Sequence, residues 1–442
     1  MLTKLLRIAK VAKEKPMEKF TSLAHLINEP MLEFCHYQLS GNKALGVDGV
    51  TKVEYEAELQ DNIKSLVGRL KRHAYHPQPV RRAYIPKPGT NKMRPLGIPA
   101  YEDKLVQMAL AKILSAIYEE DFLDSSFGFR PNRGCHDALK ALNRIIDRRK
   151  INYIVDADIK GFFDHVDHEW LIKFVKHRIA DPNIHRLIVR FLKSGVEDNG
   201  RLNPTKEGTP QGGLISPILA NVYLHYVLDL WFEKVVRKGC RGDAYMVRYT
   251  DDFVCCFQYE EEAQAFYRAL ITRLKRFNLD VAEDKTKIIP FGKYAEKQCK
   301  RKDNNKPPTF DFLGFTHYCS KSRKGRFRVK RKTSKKKYRA SLLKCKEWLR
   351  QNRNMPANEL MERLRLKLLG YYRYYGITDN ITMMSNFVKE VRRMLFKWLN
   401  RRSQRKSFDW SKYVLFLERF PLPKPKIYVK IYELRTDIGY IL

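Results

Sequence analysis

The stretch that most constrains this chain is residues 245–257. Two short runs rich in β-branched and aromatic residues, Tyr245–Tyr249 and Phe253–Phe257, are separated only by Thr250-Asp251-Asp252. So short a connection leaves room for little but a tight hairpin, with two adjacent aspartates at its tip. A third run, Tyr153–Ile159, reads as a buried strand and delivers Asp158 near its end. Paired aspartates at a turn are commonly no more than a solvated turn. Here the rigid strand–turn–strand setting and the separate Asp158 argue for a cation, because adjacent carboxylates repel unless one lies beside them.

All-oxygen ligands suit Mg²⁺, which typically takes one or two carboxylates and completes its shell from substrate phosphates. Two such ions about 4 Å apart activate an attacking hydroxyl and stabilise a leaving pyrophosphate in an in-line displacement. That chemistry asks mainly for positioning and charge neutralisation.

Composition points to the substrate. Lys and Arg number 86 against 49 Asp and Glu, a formal charge of +37 over 442 residues. An excess of this size self-repels unless a polyanion relieves it, and nucleic acid does so with release of counterions. An acidic membrane surface is a distant second. With 44% apolar residues the chain folds, and it is long enough for two or three domains. None of the eight cysteines stands in a C-x-x-C pair, which excludes zinc-ribbon spacing and fits reduced thiols. No apolar run approaches the roughly 20 residues of a membrane span. The basic start, MLTKLLRIAKVAKEK, has no small-residue cleavage site. A cytoplasmic, nucleic-acid-associated protein is expected, with an organellar one as the alternative.

Along the chain, residues 1–80 are helical in pattern around a loop at Gly41–Val50, and Tyr84–Ala100 reads as two short strands joined by a turn. Helices are expected at Leu105–Tyr118, His136–Asp147, Ser216–Val236 and Glu260–Phe277, with Ser216 as N-cap and Pro217 at the first helical position. The order predicts an α+β layer with a small sheet covered on one face. Past residue 320 the character changes: Lys321–Arg339 holds twelve Lys or Arg and no acidic residue. Three helical patterns follow, near 334–352, 358–375 and 382–402. Three regions are therefore expected: 1–80, 81–320 and 321–442.

Seven boxes in chain order carry a resemblance: YIPKPG…MRPLGIP at 84–99, FGFRPNRGCHDAL at 127–139, DADIKGFF at 156–163, GTPQGGLISP at 208–217, YTDD at 249–252, EDKTKI at 283–288 and FLGF at 312–315. Together they resemble the reverse transcriptase of bacterial and organellar group II introns, over roughly residues 40–320 and more weakly beyond. The resemblance implies a right-hand polymerase. Fingers and a ferredoxin-like palm with a small antiparallel sheet would be followed by an α-helical thumb and maturase domain. It implies RNA-directed DNA synthesis with two Mg²⁺ ions (Mn²⁺ substituting), an RNA template, a DNA or RNA primer and dNTPs. A ribonucleoprotein with structured intron RNA is the implied setting.

Residue by residue, the resemblance makes Asp158, Asp251 and Asp252 the catalytic metal ligands, joined by the backbone carbonyl of Ile159. Lys87 and Arg94 would grip the incoming triphosphate, Gln211 would contact the nucleotide near its sugar, and Lys285 would stand near the leaving pyrophosphate. Phe162, with Phe163 as the alternative, would be the gate against a ribose 2′-hydroxyl. Gly212 and Gly213 would let backbone approach the nucleotide. Arg130 and Arg133 would belong to the fingers and template path. In the C-terminal third, tyrosines 371, 372, 374 and 375 are expected to divide into one pair in the core and one pair exposed, and Tyr371 and Tyr374 are the RNA-stacking candidates. Intron-encoded members usually carry Ala where this chain has Thr250. No metal-spaced cysteines follow Cys345, so the form without a Cys- and His-containing nuclease domain is expected. Two other readings stay open: a splicing-only RNA-binding maturase, and a domesticated or defence-associated reverse transcriptase acting in host repair or immunity.

Overall fold

The computed structural model describes residues 2–86, 93–205, 207–209, 212–301, 306–402, 404 and 407–440. In chain order its strands are β1 (Val80–Pro86), β2 (Met93–Ile98), β3 (Tyr153–Asp158), β4 (Val196–Asp198), β5 (Arg201–Asn203), β6 (Ala244–Tyr249), β7 (Asp252–Phe257), β8 (Lys287–Pro290), β9 (Phe310–Phe312), β10 (Phe315–Lys321) and β11 (Phe327–Thr333). They form three sheets, ordered β2-β1-β4-β5, β6-β7-β3-β8 and β11-β10-β9.

The central sheet is β6-β7-β3-β8, antiparallel throughout. Helices lie between β3 and β6, and the helix Glu260–Arg276 lies between β7 and β8. This is the βαββαβ order of a ferredoxin-like layer. Strand alternation sends two apolar sets to opposite sides. Val155, Ala157, Met246, Phe253, Cys255 and Phe257 join one core, with the helix Tyr101–Tyr118, none of whose residues is fully exposed, and the helix from Ser216. Ile154, Tyr245, Val247, Val254, Cys256 and Ile289 join a second core, with the helix Cys135–Arg148 and the C-terminal helices. The sheet is thus covered on both faces, not one as expected. Apart from Arg248 in β6 and Asp252 at the start of β7, the two runs are apolar on both faces rather than alternating, which is the pattern of a two-sided strand.

Helices Lys335–Gln351, Ala357–Tyr375 and Ile381–Leu399 match the three patterns beyond residue 320, and a further helix, Trp410–Arg419, follows them. The basic shift at 320 falls inside β10, which pairs with both β9 and β11. Phe310, Phe312 and Phe315 pack in the same core as those helices, so composition changes there while packing does not. The long helix begins at Ser216, with Ile215 rather than Ser216 in the N-cap position. It widens to π-helical turns at His225–Asp229 and Phe232–Val236.

Candidate active site

The hairpin is tighter than three intervening residues would give. Tyr249 pairs with Asp252, leaving only Thr250 and Asp251 in the turn. Thr250 has φ +63°, the positive φ that primed hairpin turns require. Next door, β3 pairs with β7 in a register that sets Asp158 directly opposite Asp252. Two like charges in that relation destabilise a sheet. Period-two alternation adds Asp156 to the same face, and the apolar side of Ile154 and Val254 gives way there to carboxyls.

The electrostatics follow from this crowding. Burial, then the neighbouring charges of Asp156, Asp158 and Asp251, push Asp252 up to about 8. Asp156 is pushed up to about 7 by burial and by Asp311. Asp251 is raised by burial and by Asp158, while the Arg94 guanidinium pulls the other way, which sets β2 and the turn within electrostatic reach. Lys285 Nζ donates to Asp158 Oδ2 at 2.6 Å, and that bond raises the ammonium's own pKa.

Ile159 is buried and bridges to Val281. The flanking bonds run from Lys160 N to Asp280 O and from Ala282 N to Asp158 O. The carbonyl of Ile159 therefore takes no part in that bridge. Donors here are hard oxygens, which fits a hard divalent cation. Among the described residues no three carboxyl, imidazole or thiol groups close into a ready-made cage. An ion taking part of its shell from substrate phosphate needs none.

The other expected site residues divide. Phe162 is 1% exposed, in edge contact with Phe163 and packed on Tyr223, so its ring is core. Phe163 is half-buried, and its carbonyl accepts from Thr209 N at 2.8 Å, tying DADIKGFF to Gly208–Thr209. Gly212 makes a close approach, but to protein: a Cβ there would meet Gly97 O of β2 at 2.5 Å. Arg94 is exposed on β2 opposite Ile85. Lys87 and Gln211 lie outside the described residues.

The two arginines expected in the fingers and template path are instead engaged within the protein. Arg130 is buried, bonded to Glu119 Oε2 at 2.9 Å and to the carbonyls of Leu123 and Ser126. Arg133 bonds Asp124 Oδ1 at 2.6 Å and is largely covered, with Gly439 O as a further acceptor. Of the tyrosines, 372 and 375 are buried and 371 and 374 half-buried. Tyr371 stacks on Phe387 with centroids 3.9 Å apart, and Tyr374 donates to Leu313 O at 2.9 Å in the FLGF turn.

Two features of the site were missed from sequence. Asp156 could have been found, since its two-residue spacing from Asp158 puts both on one face. Arg248 also left a signal, as a lone cation inside the apolar run of β6. It is fully buried and paired with Asp229.

A ferredoxin-like sheet with three aspartates across two strand ends defines the class: a polymerase palm. The chain belongs to the reverse transcriptase (RNA-dependent DNA polymerase) family, whose model matches residues 85–317. Residues 338–416 match the group II intron maturase-specific domain. The chain is 44% identical over 229 residues to the group II intron-encoded protein LtrA of Lactococcus lactis subsp. cremoris, covering 51% of this chain and 38% of LtrA. It is 35% identical over 244 residues to protein YkfC of Escherichia coli K12, covering 54% and 64%. A mitochondrial nuclear intron maturase 2 of Arabidopsis thaliana is 27% identical over 175 residues, covering 31% and 24%. The chain thus spans less than two-thirds of the length of each of these relatives. No described helix is long and apolar enough to cross a membrane.

Proposed function

We propose that this protein copies RNA into DNA by nucleotidyl transfer at Asp158, Asp251 and Asp252, and that it assists the splicing and mobility of a group II intron RNA. The observation that carries the first half is the cross-strand pair Asp158–Asp252 with Asp251 in the adjoining turn. Bound Mg²⁺, or Mn²⁺ in its place, would activate the primer 3′-hydroxyl and neutralise charge on the phosphates. Asp158, Asp251, Asp252 and the carbonyl of Ile159 hold the ions in this reading. Arg94 and Lys87 bind the triphosphate, Gln211 meets the nucleotide near its sugar, and Lys285 stands by the pyrophosphate. The half-buried Phe163, rather than the core residue Phe162, takes the role of sugar gate.

The maturase-specific match over residues 338–416 supports the splicing half, with the +37 charge as the phosphate grip. RNA template, primer, dNTPs and intron RNA are the partners, and the bacterial cytoplasm is the proposed setting.

Primer extension on an RNA template with dNTPs and Mg²⁺, run beside Asp251→Asn, tests the reading. Extension by the wild type alone is expected, with RNA affinity of the variant within about twofold. Synthesis that survives Asp251→Asn would overturn the assignment of the aspartates. Tight RNA binding without extension by the wild type would favour the splicing-only alternative.

A further inference from the structure

We propose that Arg248 is a positioning residue that sets the aspartate turn and couples it to the Ser125–Arg130 segment; the proposal rests on the metal-binding reading of Asp251 and Asp252. Every N–H of its guanidinium is used. Nε donates to Asp229 Oδ1 at 2.7 Å, and Nη2 to Asp229 Oδ2 at 2.6 Å and Ser126 Oγ at 2.8 Å. Nη1 donates to Asn221 Oδ1 at 3.1 Å and to the carbonyl of Thr250 at 2.8 Å. The last bond grips the turn itself, one residue before Asp251.

Thr250 needs that grip. Its φ of +63° is a conformation that a β-branched residue rarely adopts, so the turn is held by its surroundings rather than by local preference. The surroundings are extensive. Arg248 N donates to Ser125 O at 2.8 Å, and Arg248 O accepts from Phe127 N at 2.9 Å, so Ser125–Phe127 runs alongside β6. Asn221 Nδ2 donates onward to Gly128 O at 2.8 Å. Gly128 abuts the turn so closely that a Cβ there would meet the Thr250 amide nitrogen at 2.5 Å. On the other side, the π-helical turn His225–Asp229 ends on the residue that clamps the guanidinium, and such widened turns are frequent at functional sites.

Stability alone is a poor account of this arrangement. A buried ion pair is often replaceable by apolar residues of similar volume at no loss. Asp229 is answered by two of the five donors, and the other three reach Thr250, Asn221 and Ser126.

The test compares wild type, Asp251→Asn, Arg248→Lys, the double variant Arg248→Met/Asp229→Leu, and Gly128→Ala. The readouts are thermal melting, Mn²⁺ affinity by electron paramagnetic resonance, RNA affinity, and kcat and KM for dNTP. Arg248→Lys keeps a charge opposite Asp229 but lacks the fork that reaches Thr250. The double variant removes both charges together. Each variant that melts like wild type is expected to lose Mn²⁺ affinity and kcat by about ten- to hundredfold, with KM and RNA affinity little changed. Gly128→Ala perturbs the turn from outside and is expected to do the same; where neither Arg248 variant folds, wild-type Mn²⁺ affinity and kcat in a folded Gly128→Ala would overturn the proposal. Wild-type Mn²⁺ affinity and kcat in a folded Arg248→Lys or double variant would overturn the proposal while leaving the aspartate reading intact. Wild type indistinguishable from Asp251→Asn in both Mn²⁺ binding and extension would overturn the aspartate reading, and this proposal with it.

Discussion

Lys285 and Asp158 form a partly exposed ion pair, Nζ to Oδ2 at 2.6 Å, with the lysine side chain 61% and the aspartate 34% exposed. In the proposed metal site the ammonium and a divalent cation would therefore compete for the same oxygen. Lys285→Ala is expected to lower the Mg²⁺ concentration that gives half-maximal extension, because the competitor is gone. It is also expected to lower the maximal rate by about 10²-fold, as loss of a proton donor to pyrophosphate would. A Mg²⁺ titration of single-turnover extension reads both effects at once. A lower requirement without a lower rate would leave Lys285 as a spacer for the metal site only.

In the proposed reading the adjacent phenylalanines divide into a gate, Phe163, and a core residue, Phe162. Phe162 is buried against Tyr223, so Phe162→Ala is expected to cost about 3–5 kcal/mol of stability. Phe163→Ala is expected to spare most of that stability and to raise ribonucleotide incorporation. Urea denaturation and paired extension with dNTP and rNTP distinguish the two. Unchanged sugar selectivity in a folded Phe163→Ala would remove the gate from this segment.

Much of the framework of the candidate site was legible because it consists of short, rigid elements with strong local patterns. The hairpin at Thr250, the strand ending at Asp158 and the helices beyond residue 330 all follow from spacing and apolar runs. Arg130 and Arg133 did not, because an arginine in a polar, Gly-rich box reads as a surface cation. Only the fold reveals that Glu119 and Asp124 stand beside them. Register explains Phe162 in the same way: sequence alone does not say which of two adjacent rings the turn after Asp158 carries inward. The second cover of the central sheet comes from helix Cys135–Arg148 and, beyond the sheet in the chain, from Phe310, Phe312, Phe315 and the C-terminal helices, a set that no single local window contains.

Those buried arginines bear on the salt dependence of RNA binding. Lysines exposed on the helices beyond residue 334 release counterions when they meet phosphate, so removing one lowers the slope of log affinity against log salt by about 1. Arg130 is spent on Glu119, Leu123 and Ser126 and has no phosphate to meet. Arg130→Met is expected to leave that slope unchanged and to destabilise the fold by about 3–5 kcal/mol, since Glu119 keeps a half-buried charge without its partner. Filter binding at several salt concentrations, with melting curves alongside, checks both parts. A slope that falls in a fully folded Arg130→Met would return the residue to the template path.

His225 makes the region around Arg248 sensitive to acid. Burial pushes its imidazole down to about 4, against the partial opposition of Asp229. The folded state therefore keeps His225 neutral at pH values where the unfolded chain, near 6.5, already binds a proton. The sign is fixed: this contribution is fully present above about pH 6.5 and is lost as pH falls toward 4, at roughly 1 kcal/mol per pH unit. Asp156 and Asp252, raised to about 7 and 8, act in the opposite direction, losing stability as pH rises from about 4. A difference measurement isolates the histidine from them. His225→Phe keeps an aromatic ring against Phe122 and Tyr226 but cannot titrate. Urea unfolding at pH 7.5, 6 and 5 is expected to show the wild type losing stability relative to His225→Phe at each step downward. A constant difference across that range would mean that His225 takes up its proton as readily in the folded state as in the unfolded one, and that acid enters the fold elsewhere.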